Sequence, residues 1–175
     1  NTFKHKKEQV AKGLAVPGGN TMSAYALHSL EAGGHPADET TAALVEYLLT
    51  RQKADGTWPA LTPRQQTEGS SFTNAAQALQ ALRHYAPAKD AEGAEALQAR
   101  IDKAYDRGKE WLLKNQPTHT EDRVFRLRAL VTVAADAKEI EAARTALLKE
   151  QREDGSWAQL ADRAGDAYAT GTVLM

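Results

Sequence analysis

The chain has 175 residues, 22 Lys and Arg against 23 Asp and Glu, a net charge of -1 and no cysteine. That length fits one domain, burying roughly two thirds of its unfolded surface. The even charge balance gives no reason to expect nucleic acid or an anionic membrane as partner, and without cysteine there is no disulfide, thiolate zinc site, covalent haem attachment or cysteine nucleophile. No apolar run approaches the ~20 residues of a membrane-spanning helix. Phe3-Lys4-His5-Lys6-Lys7 leads into Glu8-Gln9 without the apolar core of a signal peptide. Asn1 stands first, and Met175 falls inside a helical pattern with no Gly or Asn cap after it. The expectation is a fragment of a longer protein, with residues 1–175 forming a single domain.

Helical periodicity runs through the whole chain, and alternating β-branched stretches are few, so the reading is all-α with about six or seven helices. Thr21 to Leu30 forms a dry or half-dry helix carrying Tyr25 and His28. Gly33-Gly34-His35-Pro36 joins it to the next, where Asp38 and Glu39, followed by Thr40 and Thr41, complement a helix N-terminus. That helix is one-sided and closes on Tyr47-Leu-Leu-Thr-Arg-Gln52, which runs into Asp55-Gly-Thr-Trp58. Phe72 to Leu82 is apolar nearly all round except for Asn74, Gln77 and Gln80, and is expected to be buried on most sides. Pro87 stops it.

Ile101, Ala104, Tyr105, Gly108, Trp111 and Leu112 mark a second one-sided helix, closing on Trp111-Leu-Leu-Lys-Asn-Gln116. Glu121 and Asp122 read as caps before Val124. Leu127 to Ala135 is again apolar nearly all round and carries the same expectation of burial. Ile140, Ala143, Leu147 and Leu148 mark a third one-sided helix, closing on Ala146-Leu-Leu-Lys-Glu-Gln151 and running into Asp154-Gly-Ser-Trp157. Asp166 caps a last helix beginning at Ala167. One-sided and dry helices thus alternate. The interval from Gln52 to Gln116 exceeds that from Gln116 to Gln151 by about one insertion, placed at Pro87 to Ala99. Units of this size bury a continuous core only by stacking on their neighbours.

The repeated Gln and Trp have a structural job. A helix leaves its last four carbonyls unpaired, and a Gln in the final turn has donors to reach them or the following loop. Asp-Gly reverses the chain. Trp58 and Trp157 then cover the turn with their indole N–H bonded. The clasp is Gln52, Gly56, Trp58 and Gln151, Gly155, Trp157. Stabilisation of a carbocation by these rings would need them to face a cavity, whereas they sit in loops.

These two segments resemble the QW motif of the squalene and hopene cyclases. Gly165-Asp-Ala-Tyr-Ala-Thr-Gly171 and Ser71-Phe-Thr-Asn-Ala-Ala-Gln-Ala-Leu79 resemble the inner helix openings that follow it. The resemblance covers most of residues 20 to 175 and reaches the wider (α/α) toroid group, including protein prenyltransferase β subunits and complement-type thioester domains. It implies stacked αα hairpins forming part of a toroid, an arc of about half a ring, with apolar open ends through which copies self-associate. The middle copy departs: Gln116-Pro-Thr-His-Thr-Glu-Asp-Arg has neither the Gly nor the Trp, so its junction is closed differently.

The cyclases of that family protonate an isoprenoid through an Asp-x-Asp-Asp motif, which is absent here. The zinc and thioester chemistries of the relatives need a cysteine. No His-x3-His or Glu-x-x-His spacing suggests a metal, and no cofactor is implied. Candidate ligand-facing residues are Tyr25, His28, Asn74, Arg126, Asp166 and Tyr168, although His28 alone reads as a hydrogen-bonded core or rim residue and Asp166 as a cap. Asn74, Gln77, Gln80, Arg126 and Arg128 either face a central cavity or, the preferred reading, face solvent or pair with loop carbonyls. The expected function is a squalene-cyclase-like repeat domain without its own catalytic acid, binding a hydrophobic or extended ligand, or a protein segment, in its concave face. The alternatives are part of an active terpenoid cyclase or lyase completed beyond Met175, and a structural or interaction repeat module of a multidomain protein.

Overall fold

Helix starts in this chain are written locally. The Asp38 carboxylate accepts from the backbone N–H groups of Thr40 and Thr41, both at 2.8 Å; the Ser70 hydroxyl accepts from Thr73 N at 3.1 Å; Asp166 accepts from Ala169 N at 2.9 Å. Each satisfies donors that a helix leaves open at its first turn. The computed structural model describes residues 6–14, 16, 18–60, 70–88 and 90–175. Among the described residues are eight helices and no strand: α1 Lys7–Ala11, α2 Gly19–Ala32, α3 Glu39–Arg51, α4 Ser71–His84, α5 Ala94–Lys114, α6 Thr120–Thr132, α7 Ala137–Leu148 and α8 Ala167–Leu174. The basic start at Phe3 to His5 lies outside them, as does Lys89 within the Pro87 to Ala99 insertion.

The fold is all-α, with one more helix than the periodicity suggested: α1, too short to show a period. The even-numbered helices α2, α4, α6 and α8 pack on one another in succession and form one layer. The odd-numbered α1, α3 and α5 likewise follow one another on its other side, and α7 leans on α6. Leu27, Leu44, Leu48, Trp58, Leu79, Leu82, Leu112 and Leu130 are fully buried between the layers, each contributing about 1.5–3 kcal/mol relative to exposure. A smaller cluster of Val124, Leu147, Trp157 and Ala169 closes the α6–α7–α8 end.

The stretch Leu127 to Ala135 departs from expectation. The helix ends at Thr132, Ala134 turns the chain at φ 47, and Val131 is 55 % exposed. An apolar run fixes helix formation, but how many of its sides are covered depends on neighbours, and none of the other described helices covers the Val131 side of α6. Among the described residues no helix is long and apolar enough to cross a membrane.

Candidate functional site

The two intact Gln-to-Trp loops have the same geometry. Trp58 Nε1 donates to Leu48 O at 2.8 Å, and Trp157 Nε1 to Leu147 O at 2.9 Å. Gln52 Nε2 donates to Gly56 O and Gln151 Nε2 to Gly155 O, each at 3.0 Å. Thr57 N and Ser156 N donate to Asp55 and Asp154, each at 3.0 Å. Both glycines have positive φ, 94 at Gly56 and 82 at Gly155, a conformation that costs a side chain about 1–2 kcal/mol. Both rings are buried with their donors used on a helix end, so neither is presented to a ligand.

The middle junction shows what replaces the missing Trp. In the intact loops the indole reaches the carbonyl four residues before the Gln, in the last turn of the helix. The corresponding carbonyl before Gln116 belongs to Leu112, and Arg126 Nε of α6 donates to it at 2.8 Å. Burial lowers the Arg126 guanidinium below its ordinary range, as expected for a cation taken out of water. Arg126 is therefore a clasp and does not join a ligand face.

A fourth, weaker copy lies at the start. Lys7-Glu8-Gln9 repeats Lys149-Glu150-Gln151, with Gly13 four residues on, at φ 76. Gly13 N donates to Val10 O at 2.8 Å, as Gly56 N does to Lys53 O at 3.0 Å and Gly155 N to Arg152 O at 2.9 Å. The missing Trp hid it, although Lys-Glu-Gln and the Gln-to-Gly spacing were a usable signal.

The chemistry-bearing side chains gather on the even layer, on the side turned away from the odd helices. On α4, Phe72 packs against Trp111 of α5 (centroids 4.7 Å apart) and Leu79 O accepts from Tyr105 at 2.6 Å; Gln77, Gln80 and His84 lie on the opposite side at i, i+3 and i+7. On α6, Arg126 faces α5, so Glu121, Phe125, Arg128 and Thr132 form the opposite stripe at i, i+4, i+7 and i+11. The stripes are bonded across. Thr73 Oγ1 donates to Glu121 Oε1 at 2.9 Å, and Tyr168 of α8 donates to Oε2 of the same carboxyl at 3.1 Å. Toward α2, Thr21 donates to Asn74 Oδ1 at 2.9 Å, and Gln80 Nε2 reaches His28 Nδ1 at 3.2 Å and Glu31 at 3.3 Å. Glu31 also stands 3.3 Å from His84, and Glu31, Gln80, Arg83 and His84 line an open cavity of about 340 Å³.

Two features make this face more than a solvated surface. Burial pushes the Glu121 carboxyl above the ordinary carboxylate range despite its two hydroxyl donors, and burial together with the Glu121 charge pushes the Tyr168 phenol up to about 12. Asn74 Nδ2 and Gln77 Oε1 are buried with no hydrogen-bond partner among the described residues. An unsatisfied buried polar atom costs about 1–3 kcal/mol, and these two leave a donor and an acceptor one helical turn apart.

Of the residues singled out from the sequence, His28, Asn74 and Tyr168 belong to this face, and Tyr25 lies one turn before His28 on the same side of α2. Asp166 caps α8, and bonding to Ala169 N holds its carboxyl below the usual range. Asp38 is likewise a cap, held low first by Thr41 N. Asn74 and Gln77 face neither solvent nor loop carbonyls: both are buried. Glu121 was missed as a site residue because Glu-Asp before a helix reads as a pair of caps. Asp122 alone serves the chain entry, accepting from Thr118 N at 3.1 Å and from Ser70 at 2.7 Å. No group of three or more His, Asp or Glu among the described residues is arranged to hold a metal ion. Compared with known proteins, the chain matches no family model and no curated protein, and no solved structure is significantly similar to it.

Proposed function

We propose that the chain is a squalene-cyclase-like helical-repeat domain, an arc of an (α/α) toroid, which binds an extended polypeptide segment along the uncovered face of its even helices. The observation that carries this reading is the row of polar side chains bonded across that face, Gln80 to His28 and Glu31, and Glu121 to Thr73 and Tyr168. A peptide backbone offers carbonyls and N–H groups, and the half-buried Gln80 carboxamide can serve either. Tyr25, Phe125 and Tyr168 supply flat surface, while Glu121, His28 and Arg128 supply side-chain selectivity. An isoprenoid hydrocarbon has no hydrogen-bonding partner for these groups and would leave them buried and unmade.

The test is selection of a displayed library of unstructured twelve-residue peptides against the protein. The reading expects peptides that bind saturably and lose at least tenfold in affinity on Gln80→Ala, with the variant's melting temperature as a folding control. No enriched peptide, or binding indifferent to Gln80, or saturable binding of squalene instead, would overturn it. Catalysis is a second reading with one observation in its favour: Glu121, a carboxyl raised by burial beside Tyr168, has the raised proton affinity that a general acid needs.

A further inference from the structure

The Gly56 and Gly155 loops differ in what lies over them: α5 covers the first, and none of the described helices covers the second. At the first loop, α5 adds two bonds to those the loops share: Gln52 Nε2 donates to Ala104 O at 2.9 Å, and Arg107 Nη2 donates to Gln52 Oε1 at 2.6 Å. The α5 backbone also rests directly on Gly56, where an added Cβ would stand 2.6 Å from the Arg107 carbonyl carbon. Gly108, beside Arg107, brings α5 against Leu79 and the Trp58 ring. Gln52 is consequently 8 % exposed. At the second loop Gln151 is exposed and keeps only its bond to Gly155. A Cβ on Gly155 would meet nothing nearer than Gln151 itself, 3.9 Å away.

The preceding helices tell the same story. Leu49, on the Gln52 flank of α3, is 9 % exposed, whereas its counterpart Leu148 on α7 is 46 % exposed. Gly13 repeats the covered arrangement, with α3 against it: an added Cβ would be 3.2 Å from Thr50 Cγ2. Two of the three glycine turns are thus covered by the next odd-layer helix, and the third presents the same shape bare.

We infer that Leu148, Gln151 and Gly155 form a docking socket for a further amphipathic helix carrying the Ala-x-x-Arg-Gly pattern of Ala104 to Gly108. The occupant is specified by chemistry. A small residue lets its carbonyl reach the free Gln151 amide hydrogen, Arg three residues on donates to Gln151 Oε1, and Gly next to it allows approach to the Trp157 ring. The glycine at 155 is required because the docked backbone passes where a side chain would be. The socket repeats the arrangement that α3 covers at Gly13 and α5 covers at Gly56, and it is independent of the ligand face on the even helices.

A peptide with the sequence of residues 94–114, held helical by a lactam between positions 99 and 103, both on its exposed side, is titrated into the ¹⁵N-labelled protein. Saturable shifts at the Gly155 amide and the Trp157 indole are expected, with binding weakened at least tenfold by Gly155→Asn, which keeps the left-handed turn but adds a side chain. The peptide variants Arg107→Ala and Gly108→Leu should weaken it comparably. No saturable shift up to millimolar peptide overturns the inference. So do shifts confined to α3 and α4, which would report exchange with the resident α5, equal binding by Gly155→Asn, and self-association of the protein through this face in place of peptide binding.

Discussion

Replacing each of the two turn glycines by alanine separates a turn that is merely left-handed from one that is also a seat for a helix. Both Gly56→Ala and Gly155→Ala place a methyl at positive φ, costing about 1 kcal/mol. At Gly155 nothing further is met. At Gly56 the new Cβ would collide with the Arg107 carbonyl, which is backbone and cannot turn aside, so α5 must move off the loop. That movement breaks the Gln52 bond to Ala104 O and the Arg107 bond to Gln52, about 1 and 1.5–3 kcal/mol respectively. The totals are about 4 kcal/mol at Gly56 and about 1 at Gly155, which for a domain of this size become roughly 8–16 °C and 2–4 °C of melting temperature. Thermal unfolding followed by circular dichroism at a single protein concentration reads both. Equal losses, or the larger one at Gly155, would refute the claim that α5 is seated on Gly56.

Arg126→Met should cost about 1–3 kcal/mol by leaving the Leu112 carbonyl without its side-chain donor, and denaturant titration should show a lower midpoint at unchanged slope. Asp38→Ala should cost about 1 kcal/mol by uncapping α3, measured the same way. The Glu121 carboxyl is raised in the folded state above its ordinary 4.5, so its contribution to stability is fully present below that value and is lost as pH rises through the folded one. Glu121→Gln should remove that decline, so the stability difference between variant and parent grows in the variant's favour from pH 4.5 towards neutrality. Asp38 and Asp166 run the other way: held below 3.8, they contribute above that value and lose their contribution as pH falls through their folded ones.

Much of the scaffold was legible because its signals are local. Periodicity located α2 to α8, and the caps Asp38 and Asp166 sit where short-range rules put them. The clasp of Gln52, Gly56, Trp58 and its second copy follows from what a helix end lacks. Three things were not legible. Arg126 replaces an indole from the following helix, a substitution visible only when α5 and α6 are packed. Glu121 looks like a cap because it neighbours one, and only the approach of Thr73 and Tyr168 from two other helices gives it an enclosed carboxyl site. Asn74 and Gln77 are polar residues in an apolar run; whether such groups meet water, protein or a ligand is decided by how closely α2 and α6 press on α4, which no single-helix pattern encodes.

We propose that the repeated loops hold the molecule together while the uncovered face of the even helices does the binding. Amide hydrogen exchange with and without a saturating selected peptide tests it directly. Added protection is expected on α4 around Gln80 and on α6 around Glu121 and Phe125, with residues 52–58 and 151–157 unchanged. Protection centred on the Gln-to-Trp loops, with α4 and α6 unaffected, would contradict it.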